Sequence, residues 1–438
     1  MALESSSSGS TQSAAWVGPT SPGNRIVALD VLRGFALLGI LFVNIMHFSG
    51  VASLGQEWTG FADKAVQGFI QFFVRSKFLT MFAMLFGIGF AMQIARLEEK
   101  TGQYLWTYGR RLLVLLLFGV AHLTLDPAEV LYGYAISGAV LLLFRRVSLK
   151  ALLLWALLVM PLPYLHTAIV STLATAETPS QVLEEAEQTE QQTNQQIENE
   201  DEDTDSGNSW NPYAGERAVR VHSEGDLSEV LAYNIQFSVT RHTSSWVNYL
   251  WGVPVLLPLM LVGAFIGRRR IMERIHDEIP LLRKAFWIGL GFGIAGTWFS
   301  QVLFGWAAMA GWDPWVGFAG SLLWVLAGWS MALGYAAGIV LLIRRDFWKK
   351  CLAPLQAVGR LALTNYLLQT LICTTLFYAY GLGLYGKFGP ATAALLAIAI
   401  YLFQVALSLL WTRRFRFGPA EWLWRSITYG RLQPMRIT

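Results

Sequence analysis

Residues 31–49 read VLRGFALLGILFVNIMHFS, and this stretch decides the class of fold. Its only charged side chain, Arg33, lies near the start of an apolar run. At about 1.5 Å per residue, a helix of this length is about as long as the hydrocarbon core of a bilayer is thick. The stretch therefore predicts a membrane-spanning helix.

The rest of the chain has the same character. Of its 438 residues, 54% are hydrophobic and 14% are charged, whereas soluble domains carry roughly 25% charged residues. The sequence predicts an all-α, polytopic integral membrane helical bundle. The net charge of +4 does not indicate nucleic-acid binding, because the basic residues lie at helix ends and not in a stripe. The two cysteines, Cys351 and Cys373, have no metal-ligand spacing, so we expect no metal site.

Ten apolar windows are long enough to cross a bilayer. They lie near residues 31–49, 77–95, 110–125, 128–144, 151–173, 246–267, 284–308, 315–343, 362–381 and 390–411. The third and fourth windows meet at Asp126-Pro127, where the proline favours a tight hairpin. A further apolar stretch, 69–74, suggests that the second helix is bent.

The basic residues indicate an orientation for these ten helices. Most of the 33 lysines and arginines lie in alternate loops, and the short turns near Asp126, Asp313 and Lys387 contain almost none. Loops rich in Lys and Arg stay in the cytoplasm. We therefore predict that both termini are cytoplasmic and that the three turns lie outside.

The composition divides the chain into four parts. We predict a disordered cytoplasmic tail over 1–24, an N-terminal membrane bundle of about five helices over 25–173, and an extracytoplasmic loop over 174–245. That loop is acidic and disordered in its first half, and its second half regains the apolar spacing of a small cap. A second bundle of about five helices follows over 246–438 and ends in an interfacial segment, where Glu421 and Arg425 are spaced to pair.

The first helix carries the densest set of polar residues. Asp30, Arg33, Asn44 and His47 stand at offsets of 0, 3, 14 and 17, which places them on one face of a helix. Polar groups inside a membrane helix are costly and often functional. The alternative is that Arg33 only anchors the helix at the head groups and Asn44 makes one interhelical hydrogen bond.

Two further sets are candidates for chemistry or for packing. His122 and Asp126 stand four residues apart, as a general base and its orienting carboxylate could, although Pro127 can take Asp126 off the helix. On spacing alone, an interfacial histidine without a catalytic role is the favoured interpretation. Asn365 and Gln369, one turn apart, could line a pathway, but bridging between helices is the favoured interpretation.

Five stretches carry a resemblance to the YeiB-like family of bacterial inner-membrane proteins, a domain of unknown function. They are RIVALDVLRGFALLGI at 25–40 with Asn44-Ile45, SKFLTMF at 76–82 with LFGIGF at 85–90, RRLL at 110–113 through His122, GRLALTNYLLQ at 359–369 and FRFGPAEWLWR at 415–425. The resemblance covers nearly the whole chain from Arg25. It implies a multi-pass protein of the bacterial inner (plasma) membrane.

The first helix is also similar to that of transmembrane acyltransferases, including the heparan-glucosaminide acetyltransferase type and bacterial surface-sugar O-acyltransferases. In the O-acyltransferases an Arg is followed eleven residues later by His. Here Arg33 is followed at that distance by Asn44, as in the heparan type. Asn44 cannot act as a base, so the resemblance implies His47 or His122 in that role.

The favoured hypothesis is transfer of an acyl group from cytoplasmic acyl-CoA to a membrane or extracytoplasmic acceptor. Its catalytic candidates are His122, Asp126 and His47, and its donor-binding or substrate-binding candidates are Asp30, Arg33, Asn44, Arg110, Arg111, Asn365 and Gln369. The expected partners are the lipid bilayer, acyl-CoA as co-substrate or a lipid ligand, and a second copy of the chain in a homodimer. The alternatives are a transporter or channel-like protein for a small or lipidic substrate, and a non-catalytic assembly factor.

Overall fold

The computed structural model describes residues 26–54, 58–98, 104–176, 212–213, 215–243, 252–309, 311 and 313–437. The tail predicted over 1–24 and the acidic part of the long loop, 177–211, lie outside these described residues.

The described residues are helical, which confirms the all-α prediction. The helices are α1 Val27–Phe48, α2 Phe61–Phe69, α3 Lys77–Glu98, α4 Tyr104–Leu123, α5 Leu131–Leu141, α6 Leu149–Val159, α7 Leu162–Ala176, α8 Glu216–Glu224, α9 Leu227–Thr243, α10 Gly252–Arg268, α11 Ile279–Met309, α12 Pro314–Ile343, α13 Asp346–Arg360, α14 Ala362–Phe377, α15 Pro390–Arg414 and α16 Pro419–Tyr429.

Six of these helices or helix pairs are long and apolar enough to cross a membrane. They are Val27–Phe48, Phe61–Ala95, Leu149–Leu173, Ile279–Met309, Pro314–Ile343 and Pro390–Arg414. Three apolar helices are shorter: Leu131–Phe144, Gly252–Arg268 and Ala362–Phe377. The structure therefore supports a multi-pass membrane protein, and the count of ten spans and the side of each terminus stay predictions.

Helix α1 lies at the centre of the bundle, in contact with α3, α13, α14 and α15. Its glycines allow this close approach. A Cβ at Gly34 would collide with the carbonyl oxygen of Leu355 in α13, and a Cβ at Gly39 would collide with the ring of Phe78 in α3. Small residues at such contacts let membrane helices pack backbone to backbone.

The bend predicted in the second span is a break between α2 and α3. Helix α2 continues into a π-helical turn, Ile70–Val74. Helical structure is then interrupted at Ser76, whose φ of +67° is unusual for a residue with a side chain. The hydroxyl of Tyr335 in α12 donates a 3.1 Å hydrogen bond to the carbonyl of Phe73 and supports this break.

Hydrogen bonds join several of the arginine-rich segments at one end of the bundle. Arg268 donates to the carbonyl of Phe144 at 2.8 Å, and Arg110 donates to the carbonyl of Ile427 at 2.7 Å. We call this end the basic side. The other end carries the turn 124–130 between α4 and α5, and we call it the Asp126 side.

The amphipathic helix α16 docks on the basic side through Glu421. This buried carboxylate accepts hydrogen bonds from the amides of Leu363 at 2.7 Å and Thr364 at 3.1 Å, and from the Thr364 hydroxyl at 2.6 Å. Glu421 thus caps the N-terminus of α14, where the helix dipole favours a negative charge. The spacing of Glu421 and Arg425 predicted an ion pair within α16, but these hydrogen bonds of Glu421 go to a different helix.

Candidate functional site

The imidazole of His122, in the last turn of α4, is the centre of the candidate site. It is buried, with 3% of the residue exposed. Its Nε2 lies 2.9 Å from the hydroxyl oxygen of Thr370 in α14. Its Nδ1 lies 3.6 Å from Oε1 of Glu129 in the turn before α5. A hydroxyl at hydrogen-bond distance and a carboxylate just beyond it therefore flank the two ring nitrogens in the interior of the protein.

Glu129 is held in place by the start of α5. Its Oε1 accepts a hydrogen bond from the amide of Leu131, and its Oε2 accepts one from Tyr132 at 3.0 Å. These amides are among those that a helix leaves without partners in its first turn. The carboxylate is thus fixed by the backbone and directed at His122.

The prediction that Asp126 orients His122 is wrong in its geometry. Helix α4 ends at Leu123, and the amide of Asp126 in the following turn still donates a 3.0 Å hydrogen bond to the carbonyl of His122, but its carboxylate contacts other groups. Its Oδ1 accepts hydrogen bonds from the hydroxyl of Tyr213 at 2.5 Å and from the amide of Ala128 at 3.0 Å. Because Pro127 cannot continue α4, the carboxylate beside the imidazole is Glu129.

His47 reaches the same end of the bundle from α1. Its half-buried ring stacks on the ring of Tyr213, with the centroids 5.5 Å apart. Tyr213 therefore connects His47 to Asp126. Burial and the nearby Asp126 carboxylate raise the pKa of Tyr213 well above its usual value, so its hydroxyl stays protonated and donates the hydrogen bond.

Helices α8 and α9 cover the Asp126 side, and we call residues 212–243 the cap. His222 of α8 is fully buried, and its ring centroid lies 4.6 Å from that of Tyr378. Asn234 of α9 donates a 3.0 Å hydrogen bond to the carbonyl of Thr124 in the turn. The sequence predicted no role for Tyr213, His222 or Glu129. The signal that could have identified Tyr213 and His222 is the presence of a histidine and tyrosines in an otherwise acidic loop.

The predicted donor-binding residues lie on the basic side. Asp30 and Arg33 form a 2.9 Å ion pair in which the Arg33 side chain remains 30% exposed. Arg111 donates to Gln93 at 2.5 Å and lies over the ring of Trp424, 4.5 Å from its centroid. Arg110 and Arg111 thus fasten α16 to α4.

The remaining candidates lie between the two ends. Asn365 donates a 3.0 Å hydrogen bond to the hydroxyl of Ser408, and Gln369 donates a 2.9 Å hydrogen bond to Gln404. These amides bridge α14 and α15, as the favoured interpretation had it. Asn44 is half-buried in α1, between the basic side and His47.

Comparisons with known proteins place these features in a family context. The family described as "Protein of unknown function (DUF418)" matches residues 266–431. The "Uncharacterized protein YxaH" of Bacillus subtilis (strain 168) is 32% identical over 440 residues, which cover 95% of this chain and 97% of that protein. The "Uncharacterized protein YeiB" of Escherichia coli (strain K12) is 29% identical over 432 residues, covering 92% and 96%. No solved structure matches the chain.

Proposed function

Because the chain belongs to the YeiB-like family of membrane proteins of unknown function, its activity has to be inferred from its own site, and we propose that it is a membrane-bound acyltransferase with His122 as general base. The observation that carries the proposal is that Glu129 lies at one ring nitrogen of His122 and Thr370 at the other. A carboxylate beside Nδ1 favours the tautomer in which Nε2 is free to accept a proton. A hydroxyl already lies at that nitrogen.

The reaction follows from this geometry. An acceptor hydroxyl or amine takes the position at Nε2 that the Thr370 hydroxyl now holds. As its oxygen or nitrogen attacks the carbonyl carbon of the acyl thioester, Nε2 takes its proton. The new bond to the acyl carbon forms, the carbon–sulfur bond breaks, and the imidazolium returns the proton to the leaving thiolate. Glu129 stabilises the imidazolium between these two events.

His47 is the competing base. It lies on the same side of the bundle, and Tyr213 connects it to a carboxylate, Asp126. The His47 ring stacks on Tyr213, and the described residues show no hydroxyl hydrogen-bonded to it. This difference supports His122 over His47 as the residue that moves the proton. We assign His47 and Asn44 to the walls along which the substrates approach.

The donor enters from the basic side in this proposal. Arg33, Arg110 and Arg111 bind the phosphates of acyl-CoA. A guanidinium has more N–H donors than one ion pair uses, so Arg33 can bind a phosphate while it stays paired with Asp30. Arg33 and His47 are fourteen residues apart on α1, or about 21 Å along the helix axis. The flexible arm of the donor therefore extends along α1 past Asn44 to reach His122.

The bonds made by the α14 amides favour an enzyme over a translocation route. Asn365 and Gln369 are engaged with Ser408 and Gln404 in helix–helix hydrogen bonds. A pathway lined by these amides would have to break those bonds in the membrane interior, where each unpaired group is costly.

The test uses the full chain in proteoliposomes with acetyl-CoA, octanoyl-CoA and palmitoyl-CoA. We expect at least one donor to raise the melting temperature and to release free CoA thiol when acceptor lipid is present. His122→Gln should abolish thiol release, and His166→Gln, at an exposed histidine of α7, should leave it intact. No shift in melting temperature together with no thiol release from any donor would overturn the proposal.

A further inference from the structure

The first residue of α3, Lys77, has an unusual environment. Its side chain is fully buried. Its Nζ lies over the ring of Trp324 in α12, 4.0 Å from the centroid, and no hydrogen-bond acceptor of the described residues reaches it. Lys77 is therefore a buried cation. In the part of the chain that the structure describes, its one observed partner is the aromatic face of Trp324.

Such a group is costly inside a membrane protein. A buried ammonium normally pairs with a carboxylate or donates its three hydrogens to oxygen atoms. The face of Trp324 compensates only part of the lost hydration. Arg75 is a second cation, and its charge repels that of Lys77. An anion beside Lys77 and Arg75 would stabilise both charges.

The backbone arranges the two cations around the break between α2 and α3. Ser76 has a φ of +67°, and it stands between the exposed Arg75 and the buried Lys77. A residue other than glycine keeps such a conformation only where its surroundings impose it, and such residues are frequent at ligand sites.

The neighbouring surface is apolar and aromatic. Phe69 is 54% exposed and Phe73 is 36% exposed, and their ring centroids lie 5.4 Å apart. Phe72 packs on Phe73, with centroids 4.7 Å apart. Exposed phenylalanine rings are apolar surface that lipid acyl chains can cover, and the exposed Arg75 adjoins them in sequence.

We propose that Arg75, Lys77 and Trp324 form a binding site for a phosphate group, carried by a membrane lipid or free in solution. The ammonium of Lys77 binds the phosphate oxygens from the buried side and Arg75 binds them from the exposed side. With a lipid, the acyl chains lie along Phe69, Phe72 and Phe73. The proposal does not depend on acyl transfer.

The experiment titrates the purified full chain in detergent and follows its melting temperature. Three probes are compared: dioleoyl phosphatidylglycerol, dioleoylglycerol with the same chains and no phosphate, and inorganic phosphate. We expect a saturable rise with phosphatidylglycerol and none with dioleoylglycerol. A rise with phosphatidylglycerol alone identifies a lipid as the source of the phosphate, whereas an equal rise with inorganic phosphate identifies the free anion.

Lys77→Met tests the residue, and Lys64→Met, at an exposed lysine of α2, is the matched control with the same loss of charge. Lys77→Met should weaken the apparent affinity about tenfold or more, and Lys64→Met should leave it unchanged. Without added anion, Lys77→Met should melt at or above the wild-type temperature, because it replaces a buried charge by an apolar chain of similar length. An unchanged response to the phosphate probes, or a lower melting temperature without them, would overturn the proposal.

Discussion

The side chain of His122 lies between two groups that reach it by different routes. Glu129 comes from the adjacent turn, and Thr370 is 248 residues away in sequence. The carboxylate beside one ring nitrogen determines which nitrogen carries the proton, and the hydroxyl marks the nitrogen that is left to act as base. If His122 is the base, as proposed, the position of Glu129 sets the direction of proton transfer.

Glu129→Gln is expected to lower thiol release from acyl-CoA about 100-fold, because an amide cannot stabilise the imidazolium. The single amide oxygen of Gln can accept from only one of the two amides that Glu129 caps, so the melting temperature should also fall, and thiol release is compared at a temperature where both proteins are folded. Asp126→Asn is the matched variant, since the acid that it removes contacts Tyr213 and not the imidazole. Thiol release should fall less in Asp126→Asn than in Glu129→Gln, and the reverse order would show that Asp126 is the orienting acid.

At the scale of elements, the cap covers the Asp126 side of the bundle. Tyr213 and Asn234 tie it to the turn between α4 and α5, and His222 packs among tyrosines beneath it. A cap joined by a few polar contacts opens more easily than the bundle does. We therefore expect its stability to depend on the state of His222.

Acid is expected to loosen the cap. Burial lowers the pKa of His222 from its usual 6.5 to about 4, against the opposing effect of its hydrogen bond to the Ala218 carbonyl. Between these two values the opened cap binds a proton that the closed cap does not, so closure is favoured above pH 6.5 and is lost as the pH falls toward 4. The cost is about 1.4 kcal/mol per pH unit.

Hydrogen exchange of residues 216–243, corrected for the intrinsic pH effect, measures this change. Protection should be lower at pH 5 than at pH 7 in the wild type. His222→Gln should reduce that difference, because no proton is taken up on opening. An equal loss of protection in His222→Gln would mean that another group is responsible.

The contact between α3 and α10 depends on two glycines. A Cβ at Gly263 would collide with the carbonyl oxygen of Met84, and one at Gly87 would collide with that of Met260. Gly263→Ala is expected to destabilise the protein by about 1–3 kcal/mol, because backbone cannot move aside as a side chain can.

Gly291→Ala is the matched control for this substitution. It lies in the middle of α11, where an added Cβ meets no atom within 4 Å. Alanine there should leave stability unchanged or raise it by up to about 1 kcal/mol, because it favours the helix. Thermal melting in detergent distinguishes the two variants, and equal melting temperatures would contradict the close contact.

At the scale of the whole molecule, charge divides the bundle into two ends. The loops rich in arginine lie on the basic side, and the cap, His47 and His122 lie on the Asp126 side. If the positive-inside rule holds, acyl-CoA has access to the basic side and the acceptor approaches His122 from outside. An acyltransferase with this orientation moves its acyl group across the membrane.

The two native cysteines allow a test of this orientation. Cys351 is exposed on α13, and Cys373 is buried in α14. A membrane-impermeant maleimide should label Cys351 only after spheroplasts are permeabilised. An added cysteine, Lys387→Cys, should be labelled in intact spheroplasts, and Cys351→Ser supplies the background. Labelling of Cys351 in intact spheroplasts would reverse the orientation.

Much of the fold could be predicted because it depends on local properties of the chain. A long apolar run has to be helical in lipid, since only a helix satisfies its own backbone hydrogen bonds there. Local properties also predict the hairpin at Pro127 and the spacing that allows Asp30 and Arg33 to form an ion pair. The contact of the Asp126 carboxylate with His122 is not found because Tyr213 and the Ala128 amide bind that carboxylate, and the contact with Tyr213 depends on tertiary packing.

The sequence by itself determined the helical membrane class, the spacing of polar residues along α1 and the separation of charge between the two ends. Only the tertiary structure decided which groups meet at the candidate site. The turn before α5 brings Glu129 to His122, and the packing of α14 brings Thr370 to the same ring. The cap brings Tyr213 to Asp126 and His47. The packing of α3 against α12 brings Lys77 to Trp324. Hydropathy and helical period describe one element at a time, whereas a site depends on how several elements pack together.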